Sequence, residues 1–388
     1  MAFCNVIRFL YSTKQKNMLD CIGQSLISYV IHAYCITLKR EFNFRKGKNN
    51  NLIDDIRKNS KKKENNNDEE ITFDVAIIGG GFAGLSSALL LGRYIRPTVI
   101  FDSGHLRNSA AKHVHGYLGY ENVHPAQLIR KAWKDVMQYR SIKVVNEKIE
   151  KISKYEDIFV LTTDKSRSSV KCRYVIIATG IEDIKPSIKN FVKFDGNGAW
   201  HCPHCDGFQS TGKRLIIISS AGKGVNYAKE FLGWTEDVTL FINDSKKMKL
   251  KELDEAKKLK IKIVQNDIPV EIAANKKGCL TGLLCKSGRL YPGDIIFYYM
   301  GYKVRNQIAR QLGCEVDDEG FVKVNKMQQT TIHNVYAIGD IATDRHYVVL
   351  AAASGAMAAI SIYETLLKLA IKGRMMKNIV RGGLVYNR

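Results

Sequence analysis

Two cysteines stand two residues apart in the sequence HCPHCD, which begins at His201. Such a pair can close a disulfide or open to a dithiol, and this two-electron change requires an electron donor. The thiolate is the reactive form of cysteine, and nearby positive charge lowers the pKa of a thiol. His201 and His204 could supply that charge, and Asp206 could donate a proton to a sulfur or accept one. We therefore predict that Cys202, Cys205 and Asp206 are catalytic.

Zinc binding is the main alternative for this pair of cysteines. A structural zinc site takes four ligands, usually from a second pair at ordered spacing. The chain has nine cysteines, and no two of the others repeat the CxxC spacing. An odd number of cysteines also argues against a secreted scaffold of disulfides. We therefore favour a redox pair over a zinc half-site or an inert pair, and we predict no metal site.

A dinucleotide-binding motif opens the folded part of the chain. The apolar residues 73–78 predict a buried strand, which leads into GGGFAG at 79–84 and then into a helical pattern. In such a unit the first glycine forms a tight turn, the second lets a pyrophosphate approach the backbone, and the third allows close packing. A second predicted strand, 98–101, ends at an acid that can bind a ribose hydroxyl. The predicted binding residues are Gly79, Gly81, Phe82, Ala83, Gly84, Asp102 and Ser103.

The first 70 residues differ in composition from the rest of the chain. Residues 21–38 are mostly apolar and about long enough for a membrane helix or a signal-peptide core. Residues 41–70 are rich in Asn and Lys without apolar periodicity, which predicts disorder. This two-part pattern resembles the leader of proteins sent to an apicoplast-type plastid. Mitochondrial import and a retained membrane anchor are the alternatives, and we expect membrane contact only through this leader, if it is retained.

The chain is strongly basic, with a formal net charge of +22 over 388 residues. A basic surface attracts acidic partners and raises encounter rates. We expect no nucleic-acid partner, because the sequence has no helix-turn-helix, zinc finger or stripe of basic and aromatic residues. An acidic redox protein would explain the charge, and so would a codon bias toward Lys and Asn.

From Phe73 to about Leu369 the chain resembles the low-molecular-weight thioredoxin reductases, which are FAD-dependent disulfide oxidoreductases. The segments that carry the resemblance are GGGFAG at 79–84, YVIIATG at 174–180, HCPHCDG at 201–207 and VYAIGD at 335–340. The chain is more similar to an offshoot with HCPxC at the redox pair, which also has a loop like RNSAAKHVHG at 107–116 and VxxAAASGA near the C terminus, here 348–356. That offshoot includes dithiol oxidases of disulfide natural products and flavin reductases of uncertain donor.

The resemblance implies an α/β fold with two Rossmann-like, doubly wound dinucleotide-binding domains, the second inserted in the first. The expected order is a leader over 1–70, the FAD domain over 71–185 and 298–370, a pyridine-nucleotide-like domain with the CxxC over 186–297, and a basic tail over 371–388. It further implies a homodimer in which the inserted domain rotates, so that nicotinamide and CxxC reach the flavin in turn.

The resemblance also implies roles for individual residues. By position, Cys205 would accept electrons from FAD, Cys202 would attack the disulfide of a partner, and Asp206 would exchange the proton. Gly339 and Asp340 end a predicted strand, so that a carboxylate could hold the ribityl chain while the next helix begins at the flavin. Further FAD contacts are expected from Arg107, Asn108, His115, Thr179, Gly180, Gly339, Asp340 and Val349. The histidine in this set could face the flavin or simply fill a loop.

Two departures from the family pattern affect the choice of electron donor. The first and third glycines of the expected NADPH loop fall on Ser219 and Ala221, where a side chain would obstruct a pyrophosphate. Asp244 lies where the family places arginines for a 2′-phosphate, although nearby lysines could compensate partly. His346 and Tyr347 replace an Arg-Gln pair beside the flavin, and an aromatic side chain there could stack on the ring.

These features predict a FAD enzyme that passes electrons through the Cys202–Cys205 disulfide to a thioredoxin-like protein. The donor would be NADPH or, given the altered loop and the basic surface, ferredoxin. The alternatives are a dithiol oxidase that passes substrate electrons to oxygen, and a ferredoxin–NADP reductase-like flavoprotein with an unused cysteine pair.

Overall fold

The computed structural model describes residues 72–220, 222–242 and 248–383, with side chains as far as residue 374. The range Glu70–Arg388 forms one compact unit. The predicted leader over 1–70 lies outside the described residues. So do Ala221 and residues 243–247 of the predicted nucleotide loop.

The first part of the chain alternates strands and helices, as its apolar periodicity predicts. Its elements are β1 (Thr72–Ile78), α1 (Phe82–Arg93), β2 (Thr98–Phe101), α2 (Pro125–Met137), β3 (Ile142–Val145), β4 (Ile149–Tyr155), β5 (Ile158–Thr163), β6 (Ser169–Ile177) and β7 (Ile181–Asp183). All four residues of β2 are buried, as expected for a parallel strand that is covered on both faces.

The middle of the chain repeats this alternation around the CxxC. Its elements are α3 (Phe191–Phe194), β8 (Ala199–Trp200), α4 (Pro203–Asp206), β9 (Leu215–Ser219), α5 (Gly224–Lys229), β10 (Val238–Ile242), α6 (Leu250–Lys258), β11 (Lys262–Val264), β12 (Pro269–Ala274), β13 (Leu280–Cys285), β14 (Leu290–Pro292) and β15 (Ile295–Tyr299).

The last part begins with β16 (Tyr302–Val304) and α7 (Gln307–Gln311), and continues with β17 (Val335–Ala337) and α8 (Val348–Gly383). Helix α8 is longer than predicted: it continues through the first 13 residues of the expected tail, 371–383. Leu, Lys, Ala and Met have high helix propensity, and the helix ends at the pair of glycines where that propensity is lost.

Two sheets with parallel strands share the order of four strands, third-second-first-fourth, which confirms the predicted α/β class. In the first sheet β3, β2, β1, β6 and β17 run parallel, while β4 and β5 extend the other half of β6 as an antiparallel meander. In the second, β11, β10, β9, β15 and β8 run parallel, and β12–β14 form a separate antiparallel sheet. Strand β15 ends at Tyr299, two residues past the predicted domain boundary, and β7 pairs with β16 where the chain passes between the two domains.

Small residues bring α8 against α1. A Cβ atom on Gly355 would lie 2.2 Å from the backbone oxygen of Ala83, so only glycine allows this approach. The hydroxyls of Ser86 and Ser87 donate hydrogen bonds to backbone oxygens of α8, at 2.6 and 2.8 Å. The motif AAASGA thus serves helix packing, and this packing places the first turn of α8 beside the loop that follows β1.

Candidate active site

The two cysteines of the CxxC form a disulfide at the start of α4. Cys202 is the N-cap of this short helix, and its Sγ accepts a hydrogen bond of 3.1 Å from the backbone N–H of Cys205. Pro203 occupies the first helical position, where its missing N–H leaves no hydrogen bond unmade. The sequence between the cysteines therefore favours the turn that brings the two sulfurs together.

Each histidine of the motif has a carboxylate as a neighbour. Burial lowers the pKa of His201, which weakens this side chain as a source of positive charge for the thiols. Its Nε2 lies 3.5 Å from a carboxylate oxygen of Asp183. The Nε2 of His204 lies 3.2 Å from a carboxylate oxygen of Glu230, which would offset the charge of a protonated ring.

Asp206 is a largely buried carboxyl beside the disulfide motif. Burial raises the pKa of this carboxyl from 3.8 to about 6, and the nearby His115 and His113 only partly oppose that rise. A carboxyl with a pKa near the working pH can both donate and accept a proton. His115 pairs through Nδ1 with Glu121. Its loop lies near Asp206, since the charges of His115 and His113 act on that carboxyl.

A cavity of about 900 Å³ lies at the carboxyl ends of β1, β2, β6 and β17. Ligands of doubly wound sheets bind at this edge. The predicted cofactor residues that line it are Gly79, Gly81, Phe82, Ala83, Asp102, Ser103, Arg107, Asn108, Thr179, Gly180, Gly339 and Asp340. Three predicted residues are not in its lining: Gly84, which packs on the turn, His115, and Val349 in the first turn of α8.

The shape of this cavity fits a dinucleotide. Gly79 has a φ of +121° and touches Ala178, and a Cβ on Gly84 would lie 2.0 Å from the oxygen of Gly79. These two glycines form the turn itself. A Cβ on Gly81 would meet no atom within 4 Å, so the space in front of this residue is open to a ligand. Gly81 also provides no side-chain cap for α1, which leaves the helix N-terminus available to a pyrophosphate.

Unpartnered polar atoms point to a polar ligand. Among the residues that the structure describes, Asn108 Oδ1 and His346 Nε2 are buried without a hydrogen-bond partner, and both residues line the cavity. Buried polar groups in native proteins nearly always have partners. Asp102 accepts a hydrogen bond of 3.0 Å from the N–H of Gly104, which holds its carboxylate beside the glycine turn. The residues present therefore fit FAD, with the acid placed for a ribose hydroxyl.

Arg107 holds two carboxylates at the inner end of the cavity. Its Nε and Nη2 donate hydrogen bonds of 2.7 and 2.8 Å to Asp183, and its Nη1 donates one of 2.9 Å to Asp340. Burial raises the pKa of Asp183, but the hydrogen bonds from Arg107 outweigh it and hold that pKa below the usual value. Asp183 therefore joins His201 of the redox motif to two predicted cofactor residues.

An aromatic contact also joins the disulfide motif to the cavity. Tyr347 lines the cavity, and its ring centre lies 6.2 Å from that of His204. A second, polar connection runs from His201 to Asp183, 3.5 Å away, and from Asp183 to Arg107, which donates hydrogen bonds to it. The redox motif thus adjoins the end of the cavity at which Asp340 and Tyr347 lie.

Sequence reasoning missed several residues of this site. Asp183 lies in a three-residue strand without a motif, and only its contacts reveal its role. A Cβ on Gly80 would lie 2.6 Å from the carboxyl carbon of Asp102, a constraint that no glycine fingerprint contains. Residues 146–150 form a wall of the cavity between β3 and β4, where no local pattern indicates a ligand.

The loop of the inserted domain differs from the glycine turn of the first. The hydroxyl of Ser219 donates a hydrogen bond of 3.1 Å to the backbone oxygen of Tyr299, so this side chain is held against β15. Helix α5, which follows the loop, has six residues, whereas α1 has 12. The carboxylate of Glu252 lies 3.9 Å from the position that a Cβ on Gly222 would take. A carboxylate this near the loop would repel a pyrophosphate that bound to the loop.

Two Rossmann-type domains, a glycine-lined cavity and an adjoining CxxC disulfide define a flavin-dependent disulfide oxidoreductase. The chain belongs to the pyridine nucleotide-disulphide oxidoreductase family, whose model matches residues 73–359. The enzyme is of the thioredoxin reductase-like type, and its cofactor is FAD.

Several thioredoxin reductases are similar to this chain. That of Helicobacter pylori is 28% identical over 309 residues, which cover 76% of this chain and 98% of the relative. Thioredoxin reductase sirT of Leptosphaeria maculans is 26% identical over 302 residues, with coverages of 74% and 92%. The crystal structure of a putative thioredoxin reductase from Bacillus anthracis has a TM-score of 0.70 at 26% identity and covers 76% of this chain and 99% of its own.

Proposed function

We propose that this enzyme reduces the disulfide of a thioredoxin-like protein. The observation that carries the proposal is the disulfide Cys202–Cys205 beside the FAD cavity, next to an acid whose pKa is about 6. The similarity to proteins named thioredoxin reductases supports the choice of partner. Phe208 is a large exposed apolar side chain three residues after the second cysteine, where an approaching protein could contact it.

The proposed reaction uses the residues of this chain in a fixed order. FAD, when bound and reduced by the electron donor, would supply two electrons to the disulfide. With two protons these electrons convert Cys202 and Cys205 to a dithiol. The Cys202 thiolate then attacks one sulfur of the partner disulfide, which forms a mixed disulfide and releases the other partner sulfur as a thiolate that takes up a proton. The Cys205 thiolate attacks Cys202, which releases the reduced partner and closes the original disulfide.

Ferredoxin is the electron donor that we favour over NADPH. Glu252 beside the loop and the short helix α5 both oppose pyrophosphate binding in the inserted domain. A formal net charge of +22 favours an acidic donor protein. NADPH remains the donor to compare, because the family uses it.

An anaerobic absorbance titration tests the donor. NADPH, NADH and chemically reduced ferredoxin are added separately, and the loss of the oxidised flavin band is followed. Loss with ferredoxin alone supports the proposal, and stoichiometric loss with NADPH contradicts it. For the acceptor, Cys202→Ser is expected to abolish reduction of a thioredoxin-like protein while FAD stays bound. The exposed free cysteine at 279 offers the matched control, since Cys279→Ser should keep full activity.

A dithiol oxidase is the second candidate function. The loop with His113 and His115, which resembles that of the oxidase-containing offshoot, faces Asp206 and could accept protons from a substrate dithiol. In this direction the substrate dithiol becomes a disulfide, and oxygen takes its two electrons and two protons to form hydrogen peroxide. Oxygen consumption on adding a small dithiol, with equal peroxide formation, would favour this candidate.

We also propose that residues 1–70 direct the chain to a plastid and that it acts as a homodimer. The apolar segment and the Asn/Lys-rich segment of the leader support the first proposal. Fusion of residues 1–70 to a fluorescent reporter tests it, and a reporter left in the cytosol contradicts it. Analytical ultracentrifugation tests the second, and a monomer at micromolar concentration contradicts it.

A further inference from the structure

The last helix continues past the domain that it packs on. Among the side chains of α8 that the structure describes, which end at residue 374, Leu366 is the last buried one, and each residue from 367 to 374 is exposed. The helical backbone goes on to Gly383. At 1.5 Å per residue, the part after Leu366 is roughly 25 Å long. It also lies beyond residue 359, where the match to the family model ends.

The exposed part of α8 is apolar on more than one side. Leu367, Leu369 and Ile371 have exposed fractions of 39, 59 and 47%. Leu367 and Ile371 are four residues apart and share one face, whereas Leu369 points in nearly the opposite direction. Burying the face formed by Leu367 and Ile371 requires an apolar surrounding.

All the charged side chains in the same part of α8 are positive. Lys368, Lys372 and Arg374 are exposed between these apolar side chains. The sequence continues with Lys377 and Arg381, and no acid occurs between residue 365 and the C terminus. A surface that buries this part of α8 must therefore offer both apolar groups and negative charge.

We propose that the C-terminal part of α8, residues 367–383, binds the surface of a membrane that contains anionic lipids. Leu367 and Ile371 would enter the boundary between headgroups and acyl chains, while the long lysine side chains reach the phosphates. A second copy of this chain would bring like charges together. An acidic protein surface would match the cations but would leave the apolar side chains without a partner.

The helix lies on such a surface and does not span it. The range Val348–Arg374 is long and apolar enough to cross a membrane, with a mean hydropathy of 1.5. However, Ala358, Ala359, Ile362 and Leu366 of this range are part of the domain core, packed with residues of α1 and β1. A segment that forms the core cannot also lie in the bilayer.

Co-sedimentation of the full chain with lipid vesicles tests the proposal, which does not depend on the redox partner. We expect binding to phosphatidylcholine vesicles with about 30% phosphatidylglycerol, weaker binding at high salt, and little binding to phosphatidylcholine alone. Each Lys near an anionic surface contributes about fivefold to partitioning, so Lys368→Gln with Lys372→Gln should lower it about 25-fold. Leu367→Ser with Ile371→Ser should also lower it, on anionic vesicles in particular.

Matched variants elsewhere on the surface complete the design. Lys276→Gln with Lys277→Gln removes two exposed charges from the β12–β13 turn, and Ile268→Ser with Leu290→Ser removes two apolar side chains that are 54 and 50% exposed. These controls should bind like the wild type, and the N-terminal segment is common to all the proteins. Equal binding of the helix variants and the wild type would overturn the proposal. So would self-association without vesicles that the helix variants abolish, since a second copy would then cover α8.

Discussion

Replacing Asp206 with Asn removes the one titrating carboxyl of the redox motif and keeps its size. Burial raises the pKa of Asp206 from 3.8 to about 6. The protonated fraction is then about one half at pH 6, about a tenth at pH 7 and about a hundredth at pH 8. If this carboxyl delivers the proton to the sulfur that leaves the disulfide, dithiol formation should fall about tenfold per pH unit above pH 6.

The kinetic assay measures dithiol formation directly. The flavin is photoreduced without oxygen, the sample is quenched with iodoacetamide, and alkylated Cys202 and Cys205 are counted by mass spectrometry. We expect Asp206→Asn to lower the rate by about 10²- to 10⁴-fold at pH 6 and to remove the pH dependence. An unchanged pH profile in the variant would refute the role of Asp206 as proton donor.

Asp206→Asn should lower the rate of dithiol formation but raise the free energy of unfolding at high pH. A carboxyl with a raised pKa in the folded state gives its full stability below pH 3.8 and loses it as the pH rises through about 6. The loss corresponds to at most about 3 kcal/mol. Asp206→Asn does not titrate, so its free energy of unfolding should exceed that of the wild type at pH 8 but not at pH 4. Urea unfolding with saturating FAD checks this, and Asp318→Asn at an exposed acid is the control that should show no such difference.

Four further changes test other parts of the site. Gly84→Ala should destabilise the fold by about 3 kcal/mol in urea unfolding, because its Cβ would lie 2.0 Å from the oxygen of Gly79. Gly81→Ala should change the free energy of unfolding by no more than about 1 kcal/mol, because its methyl group enters the open cavity. The same methyl group should lower the FAD content read from absorbance. Equal FAD content in the variant and the wild type would contradict the placement of the pyrophosphate. Asp183→Asn should lower the free energy of unfolding by about 3 kcal/mol at pH 7, because it leaves the buried Arg107 with one charged partner. A loss near zero would mean that the ion pair contributes no stability. Phe208→Ser should raise the KM for a thioredoxin-like protein without slowing flavin reduction, and an unchanged KM would remove Phe208 from the docking surface.

The first nucleotide site could be predicted in detail because its signals are local. The turn after β1 needs glycine for reasons of backbone geometry alone, and its spacing from Asp102 follows from one βαβ unit. The structure brings these residues together around one cavity with Gly339 and Asp340, which come from the far end of the chain. Parallel pairing of β17 with β6 makes that contact, and the strands are recognisable as buried apolar runs.

The charges of the redox motif could not be predicted in the same way. His201 was expected to be a source of positive charge, but burial lowers its pKa and so opposes that charge. The same physical effect raises the pKa of Asp206. A pKa depends on the solvent and charges around a group, and these come from residues distant in the chain.

By itself, the sequence determined the presence of a redox pair, a glycine turn for a dinucleotide and an α/β fold, because each depends on residues a few positions apart. Only the tertiary structure decided that Arg107 joins Asp183 to Asp340 and that residues 367–374 are exposed. It also decided that Ser219 is held against β15. These features depend on contacts between segments up to 233 residues apart, and no local pattern encodes which of them will meet.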